Sequence, residues 1–180
     1  MEDNLEQLKY PIGRYQKPGM VTDDLWAEWI STLNAFPSWL DVCIENLDER
    51  QLNVPYREGG WNIKQVIHHV ADSHMNAYIR VKLALTEDNP TVKPYDEAAW
   101  AELADTQVVP VNVSVTLVHA LHRRLVALLQ HMQPSERERT YFHPEHKRNF
   151  PLWEVVALYA WHSRHHAAHI QGLRERMNWT

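Results

Sequence analysis

The sequence has little cysteine, little glycine and no long apolar run, and each shortage excludes a class of protein. Cys43 is the only cysteine among 180 residues, so neither a disulfide framework nor a thiolate metal cluster is available. No apolar run approaches the length that crosses a bilayer. The acidic, polar start lacks the apolar region of a secretory signal. We therefore expect a soluble protein in the reducing cytoplasm, without a membrane partner.

A large excess of positive charge is also missing. The chain has 18 Lys and Arg against 23 Asp and Glu, with no basic block, so it lacks the electrostatic footprint of a nucleic-acid-binding protein. The residue types that do stand out are 12 histidines and 8 tryptophans, against 5 glycines. Imidazole is the commonest metal ligand in proteins, so the positions of the histidines decide what they indicate.

Four long segments have the apolar periodicity of amphipathic helices. They run from Thr22 to about Leu47, from Asn62 to about Leu85, from Ser114 to Met132, and from Pro151 to about Met177. Each of the first three begins at a capping residue, and Pro151 suits a first helical turn. No strand is convincing. The pattern predicts an all-α, four-helix bundle forming a single domain over residues 1–180.

The connections between these helices carry most of the helix breakers. Residues 1 to about 21 contain Pro11, Gly13, Pro18 and Gly19 and predict an extended N-terminal arm. Residues 95–103 predict a short connecting helix inside the long 86–113 connection, whose length allows two neighbouring helices to run parallel. Residues 134–151 are polar, with prolines, and are expected to form a loop.

Two histidine pairs with i, i+4 spacing lie on the last helix: His162 with His166, and His165 with His169. That spacing places two imidazoles on one helix face, where both can reach one ion. The first pair continues an apolar stripe, whereas His165 and His169 lie off its centre, so the first pair is the better candidate. Two stacked imidazoles on such a stripe favour a metal site over two core histidines held by hydrogen bonds. Ser163 occupies the position at which a zinc protease of the HExxH type needs its glutamate, so that class is disfavoured.

A catalytic zinc site needs a third protein ligand and an open position. The second predicted helix offers His68, His69 and His74. Periodicity nominates His74, which lies within the apolar stripe, whereas His69 lies off its centre. A core histidine at 74 and solvated histidines at 68 and 69 are the alternatives, and spacing does not choose among them.

Several strings resemble the DinB-like superfamily. Its signature is matched by GGWNIKQVIHHVAD at 59–72 and by the pair in His162-x-x-x-His166. The chain is most similar to the YfiT-like branch, through YPIG at 10–13, PYREGGW at 55–61, ADSHMN at 71–76, Arg80, PYD at 94–96 and Trp100. The resemblance implies His69, His162 and His166 as the metal ligands and an up-down-down-up order of the four helices. His74, which periodicity favours, stays the second choice for the third ligand.

The resemblance also implies a chemistry. YfiT-like proteins are described as metal-dependent hydrolases, and wider relatives transfer low-molecular-weight thiols such as bacillithiol to electrophiles. We expect one divalent ion per chain, zinc or nickel, a small-molecule thiol substrate, and by analogy a homodimer. Thiol S-transfer is the preferred function, and hydrolysis by a metal-activated water is the alternative. A metal-binding stress protein without turnover and a purely structural bundle are the competing classes.

Four further side chains have candidate roles. Asp72 lies one turn from His69 and is a candidate catalytic base or ligand-orienting group, with a surface acid as the equal alternative. Arg57, Arg80 and Arg164 are candidates to hold a carboxylate or phosphate of the substrate, although a solvated arginine is the commoner case. Cys43 has no activating neighbour in its helix turn, and we interpret it as buried packing.

Overall fold

Four long helices, joined by short helices and a hairpin, build the molecule that a computed structural model describes over residues 2–179. The helices are α1 (Glu2–Lys9), α2 (Asp23–Ile44), α3 (Glu49–Leu52), α4 (Ile63–Thr86), α5 (Glu97–Ala101), α6 (Ala104–Val108), α7 (Val111–Gln130) and α8 (Leu152–Met177). A 3-10 turn covers Pro134–Glu138, and two strands form β1 (Thr140–His143) and β2 (Arg148–Pro151). The predicted four-helix bundle is confirmed. None of the helices within residues 2–179 is both long and apolar enough to span a membrane.

Cross-helix hydrogen bonds define the helix order. The bonds Arg164–Glu28 and Arg174–Val42 show that α2 and α8 run parallel. The bonds His68–Ser114 and His74–His122 show the same for α4 and α7. The bonds His122–Leu33 and His119–Asp41 show that α2 and α7 run antiparallel. The bundle is therefore up-down-down-up, as expected, and α4 and α8 lie side by side in opposite directions.

Two apolar clusters fill the bundle, and buried histidines lie between them. One cluster includes Leu33, Ala77, Leu125, Leu129, Leu152 and Val156. The other includes Phe36, Leu40, Ile67, Val70, Val118 and Ile170. Each buried aliphatic side chain stabilises the fold by about 1.5–3 kcal/mol. His74 and His122, both fully buried, fall between the clusters on α4 and α7, so the bundle holds a polar layer at mid-height.

Two of the three predicted caps are present. The Thr22 hydroxyl accepts from the Leu25 backbone N–H at 3.2 Å, and Asn62 forms a reciprocal capping box with Gln65. The cap predicted at Ser114 is wrong, because α7 begins one turn earlier at Val111, after Pro110. The fixed φ of proline suits a helix start without a side-chain cap, and the Ser114 hydroxyl instead lies 2.8 Å from Nδ1 of His68.

The extended arm is a partly wrong prediction, because Glu2–Lys9 is helical. Every proline and glycine of the arm lies between residues 11 and 19, so the breakers that indicated an extended chain act only on that part. Residues 10–22 have neither helix nor strand and pass over α8. The connecting helix predicted at 95–103 is present as α5, capped by Asp96, and is followed by α6.

The expectation of no strand is wrong, because residues 140–151 form an antiparallel hairpin. Tyr141 pairs with Phe150, and their buried rings stack with centroids 5.6 Å apart. Each strand has only four residues, which is too short for periodicity to detect, and Pro144 marks the turn rather than a loop. Pro151 ends β2 and is the N-cap of α8, so the hairpin leads directly into the helix that carries His162 and His166.

Candidate metal centre

Three histidine side chains converge in the groove between α4 and α8. Nε2 of His162 lies 3.3 Å from Nε2 of His69 and 3.1 Å from Nε2 of His166. One ligand atom from each residue lies within 4.8 Å of the other two. The structure thus brings together the three residues that the resemblance implied, two of them one helical turn apart on α8.

The geometry of these nitrogens fits a single divalent ion. Zinc–imidazole bonds of about 2.0–2.1 Å in a tetrahedral site separate the nitrogens by about 3.3 Å, which matches the two short distances. Three protein ligands leave a position open for a substrate or solvent molecule. Trp61 packs against His69 with ring centroids 4.6 Å apart and helps to hold that ring in place.

Electrostatics favour the neutral imidazoles that metals bind. Burial lowers the pKa of His69 to about 4. Burial also lowers the pKa of His162 and of His166 well below 6.5, and the neighbouring histidines add to the effect. At neutral pH all three rings are therefore uncharged, and no proton must be displaced from a cationic ring when a metal binds.

His74 lies outside this group of three and behind it. Its side chain is fully buried, and its Nε2 lies 3.1 Å from Nδ1 of His162, the nitrogen that faces away from His69 and His166. On its other side, Nδ1 of His74 lies 2.9 Å from Nε2 of His122. Sequence reasoning missed His122, although it occupies an inward position of α7 between Val118 and Leu125.

The rival pair on α8 has a different role. His165 and His169 are both buried, and His169 donates a hydrogen bond from Nε2 to the backbone oxygen of Lys9 at 3.1 Å. Tyr56 stacks on His169 with centroids 4.0 Å apart, and Trp161 stacks on His165 at 4.4 Å. These two histidines therefore pack the N-terminal segment and the connection between α3 and α4 against α8.

A cavity of about 830 Å³ adjoins the centre, between α4, α8, the hairpin and the segment before α5. Its walls include Arg80, Tyr95, Glu97, His143, Tyr159 and His162. His162 belongs both to the cavity wall and to the group of three, so the cavity lies next to the centre. The size is within the range of small-molecule sites.

Of the three candidate arginines, only Arg80 lines this cavity. It is buried, and its Nη2 donates to the Lys93 backbone oxygen at 3.1 Å. Among the described residues no carboxylate lies within ion-pair distance of it. Arg164 is instead exposed and pairs with Glu28, and Arg57 donates to the Glu58 backbone oxygen.

Asp72 is half-buried on α4, and burial together with the charge of Asp105 raises its pKa to about 6. Within residues 2–179 the Asp72 carboxylate has no hydrogen bond to the three histidines, so its catalytic role stays a prediction. Cys43 is buried, as predicted, with Sγ 3.7 Å from the Ala167 backbone oxygen. Burial raises the pKa of the Cys43 thiol to about 11, so it is not poised as a nucleophile.

Known proteins with similar sequences belong to one family. The family model described as the DinB superfamily matches residues 32–170. A protein of Bacillus mycoides is 49% identical over 175 residues, covering 97% of this chain and all of the relative, and one of Bacillus cereus is 48% identical over the same shares. Both are provisionally named metal-dependent hydrolases.

A solved structure is also similar to this chain in both sequence and fold. YfiT from Bacillus subtilis has a TM-score of 0.94 and 43% identity, and the match covers 97% of this chain and 99% of that one. It is provisionally described as a metal-dependent hydrolase with an unusual four-helix bundle topology. The group of three histidines and the descriptions of the relatives both point to a metal ion.

Proposed function

This chain belongs to the DinB superfamily, and we propose that it is a metal-dependent enzyme in which His69, His162 and His166 bind one divalent ion, zinc or nickel. The observation that carries the proposal is the convergence of three uncharged Nε2 atoms beside a cavity whose wall includes His162. Three imidazoles suit both metals. When bound, such an ion lowers the pKa of a thiol or a water molecule so that a nucleophile forms near neutral pH.

The preferred reaction is transfer of a low-molecular-weight thiol to an electrophile. A free thiol has a pKa of about 8.5 and water one of about 15.7, so the thiol needs far less activation. In the reaction the thiol loses its proton to solvent, a carbon–sulfur bond forms, and the electrophile's leaving group departs with its electron pair.

The thiol must come from a small molecule. Cys43 is buried, and its thiol remains protonated at neutral pH because burial raises its pKa. The cavity beside His162 has room for such a molecule, and the Arg80 guanidinium supplies a positive charge on its wall. We therefore assign Arg80 to an anionic group of the substrate.

Hydrolysis is the second candidate, and the provisional names of relatives that are 48–49% identical favour it. The same three histidines serve either reaction, because the ion supplies the activation in both. The difference between the two lies in which nucleophile and electrophile the cavity admits.

The metal centre is tested first, by metal analysis of protein purified without a histidine tag. We expect close to one ion per chain in the wild type and almost none in His166→Gln. His165→Gln is the matched control, because it changes the adjacent buried histidine of the same helix and should keep the ion. Less than about half an ion in the wild type contradicts the proposal.

The reaction is tested with metal-loaded protein, a panel of small thiols and an electrophilic bimane. We expect S-alkylation faster than in His166→Gln, and His165→Gln should match the wild type. A parallel panel of esters and amides tests hydrolysis. Ester or amide cleavage without thiol transfer supports the hydrolase, whereas neither activity in fully loaded protein indicates a metal-binding protein without turnover.

A further inference from the structure

A chain of four hydrogen-bonded groups crosses the bundle and ends at the candidate metal centre. Nδ1 of His122 lies 2.6 Å from the backbone oxygen of Leu33, Nε2 of His122 lies 2.9 Å from Nδ1 of His74, and Nε2 of His74 lies 3.1 Å from Nδ1 of His162. The chain thus joins α2, α7, α4 and α8 in that order. Its far end is Nε2 of His162, which faces His69 and His166.

The Leu33 oxygen, the first group of this hydrogen-bonded chain, is available because of a proline. In a regular helix the carbonyl of Leu33 would accept from the backbone N–H of residue 37, but residue 37 is proline and has no N–H. Pro37 therefore leaves the Leu33 oxygen, deep in the bundle, without its usual partner. His122 supplies the missing donor from the neighbouring helix.

The direction of every bond follows from that carbonyl. A carbonyl oxygen has no proton to give, so Nδ1 of His122 must donate. In a neutral ring the other nitrogen is then an acceptor, so Nε2 of His122 accepts from Nδ1 of His74. By the same step, Nε2 of His74 accepts from Nδ1 of His162, which leaves the lone pair of His162 on Nε2.

The two connecting rings are neutral because of where they lie. His74 and His122 are 0% and 1% exposed, and Phe36 packs against both rings. None of the hydrogen bonds described for these two rings involves a carboxylate or another charged side chain. A buried cation without a counter-charge is costly, so each ring carries one ring proton.

We propose that the Leu33 carbonyl, acting through His122 and His74, holds His162 in the tautomer whose Nε2 is free to bind a metal. Metal-binding histidines usually donate their other N–H to a carboxylate, a carbonyl or water, and losing that partner weakens metal binding. Here two further histidines connect the ligand to its carbonyl. His74 and His122 are positioning residues for the centre, and this inference rests on the proposed metal site.

The test compares two substitutions at His122, which contacts none of the three ligands directly in the described hydrogen bonds. His122→Gln keeps a donor for Leu33 and an acceptor for His74, so the direction of the chain survives. His122→Leu removes both. His119→Gln is the matched control, since it changes an exposed histidine one turn earlier on the same helix.

The readouts are the zinc dissociation constant and long-range proton–nitrogen NMR spectra, which distinguish protonated from bare ring nitrogens. We expect zinc binding to weaken roughly 10- to 100-fold in His122→Leu, with His162 of the metal-free protein in mixed tautomers. His122→Gln and His119→Gln should stay close to the wild type. Circular dichroism checks that each variant is folded.

Three results would overturn the proposal. The first is unchanged zinc affinity in folded His122→Leu, and the second is equal weakening in folded His122→Gln and His122→Leu. The third, which needs no variant to fold, is a wild-type metal-free spectrum in which the His162 proton lies on Nε2. If the wild type binds no metal at all, the proposed function fails, but the NMR spectrum still tests the tautomer chain separately.

Discussion

His69 and His74 contact His162 on opposite nitrogens of its imidazole ring. Nε2 of His69 lies 3.3 Å from Nε2 of His162, whereas Nε2 of His74 lies 3.1 Å from Nδ1 of that ring. One ion cannot be bound by both nitrogens of the same ring, so the two histidines of α4 have separate functions. His69 faces the groove as a candidate ligand, and His74 supports His162 from the core.

Substitution should separate these two functions. We expect His69→Gln to lose stoichiometric metal, because a donor of the group of three disappears. His74→Gln should still take up one ion per chain when metal is in excess, with weaker affinity, because only the support of His162 changes. Elemental analysis gives the stoichiometry and calorimetry gives the affinity. Loss of the ion in His74→Gln together with retention in His69→Gln would place the ligands on the wrong face.

The C-terminal pair could be predicted from local pattern alone, because the i, i+4 spacing and the apolar stripe coincide at His162 and His166. The third member of the group, the candidate ligand His69, could not. Residues 63–71 of α4 are buried on every side, so that helix has no single inward stripe from which to choose. Periodicity selected the most central histidine, His74, and it was the resemblance to a family that selected His69.

His122 and the hairpin were beyond local pattern for another reason. His122 forms its hydrogen bonds with Leu33 and His74, which lie 89 and 48 residues away in the chain. Periodicity carries no information about such contacts. The strands of the hairpin have four residues each, and the stacked pair Tyr141 and Phe150 stabilises them together. Pro37 is visible in the sequence, but the Leu33 carbonyl that it leaves without a partner accepts a bond from His122 only when α7 packs against α2.

Cys43 should be inert in the native protein. With a pKa of about 11, about one thiol in a thousand is ionised at pH 8, and the thiolate is the reactive form. We expect Ellman's reagent to label the protein only after denaturation. Cys43→Ala should keep the thiol-transfer rate of the wild type. Rapid labelling of the folded protein, or a loss of activity with the ion retained, would show that Cys43 takes part in the reaction.

Asp72 should destabilise the native state at neutral pH. Its pKa is about 6 in the folded protein and about 3.9 when unfolded, so the folded state binds the proton more tightly. Stability therefore falls as the pH rises from about 4 to about 6 and then levels off. Asp72→Asn should raise the free energy of unfolding at pH 8 by about 1 kcal/mol or less, because solvent screens a half-buried group. The gain should vanish near pH 4.

Urea titrations at pH 4, 5, 6 and 8 measure this difference, with the exposed Asp88→Asn as control. A variant that is less stable than the wild type at pH 8 would mean that the Asp72 carboxylate forms a favourable contact. The same variant examines the predicted catalytic role. Asp72→Asn that keeps its ion but loses turnover would support Asp72 as a base, whereas full activity would remove it from the reaction.

Arg80 should discriminate between charged and neutral substrates. A matched pair of thiols, N-acetylcysteine and N-acetylcysteine amide, differs only in a carboxylate. If the buried guanidinium binds that group, Arg80→Gln should lower kcat/KM for the acid about 10- to 100-fold, as expected for a charged hydrogen bond of about 1.5–3 kcal/mol. The amide should be affected little. Most of the loss should appear in KM, because the contact lies on the cavity wall and not at the three histidines.

Arg164→Gln is the control for this comparison, since Arg164 is exposed and pairs with Glu28, so neither thiol should be affected. Arg80→Lys should recover part of the preference for the acid, because it restores the charge without the planar fork. An equal fall for acid and amide in Arg80→Gln would mean that Arg80 only shapes the cavity. In that case its hydrogen bond to the Lys93 backbone oxygen, which holds the segment before α5 against α4, accounts for its burial.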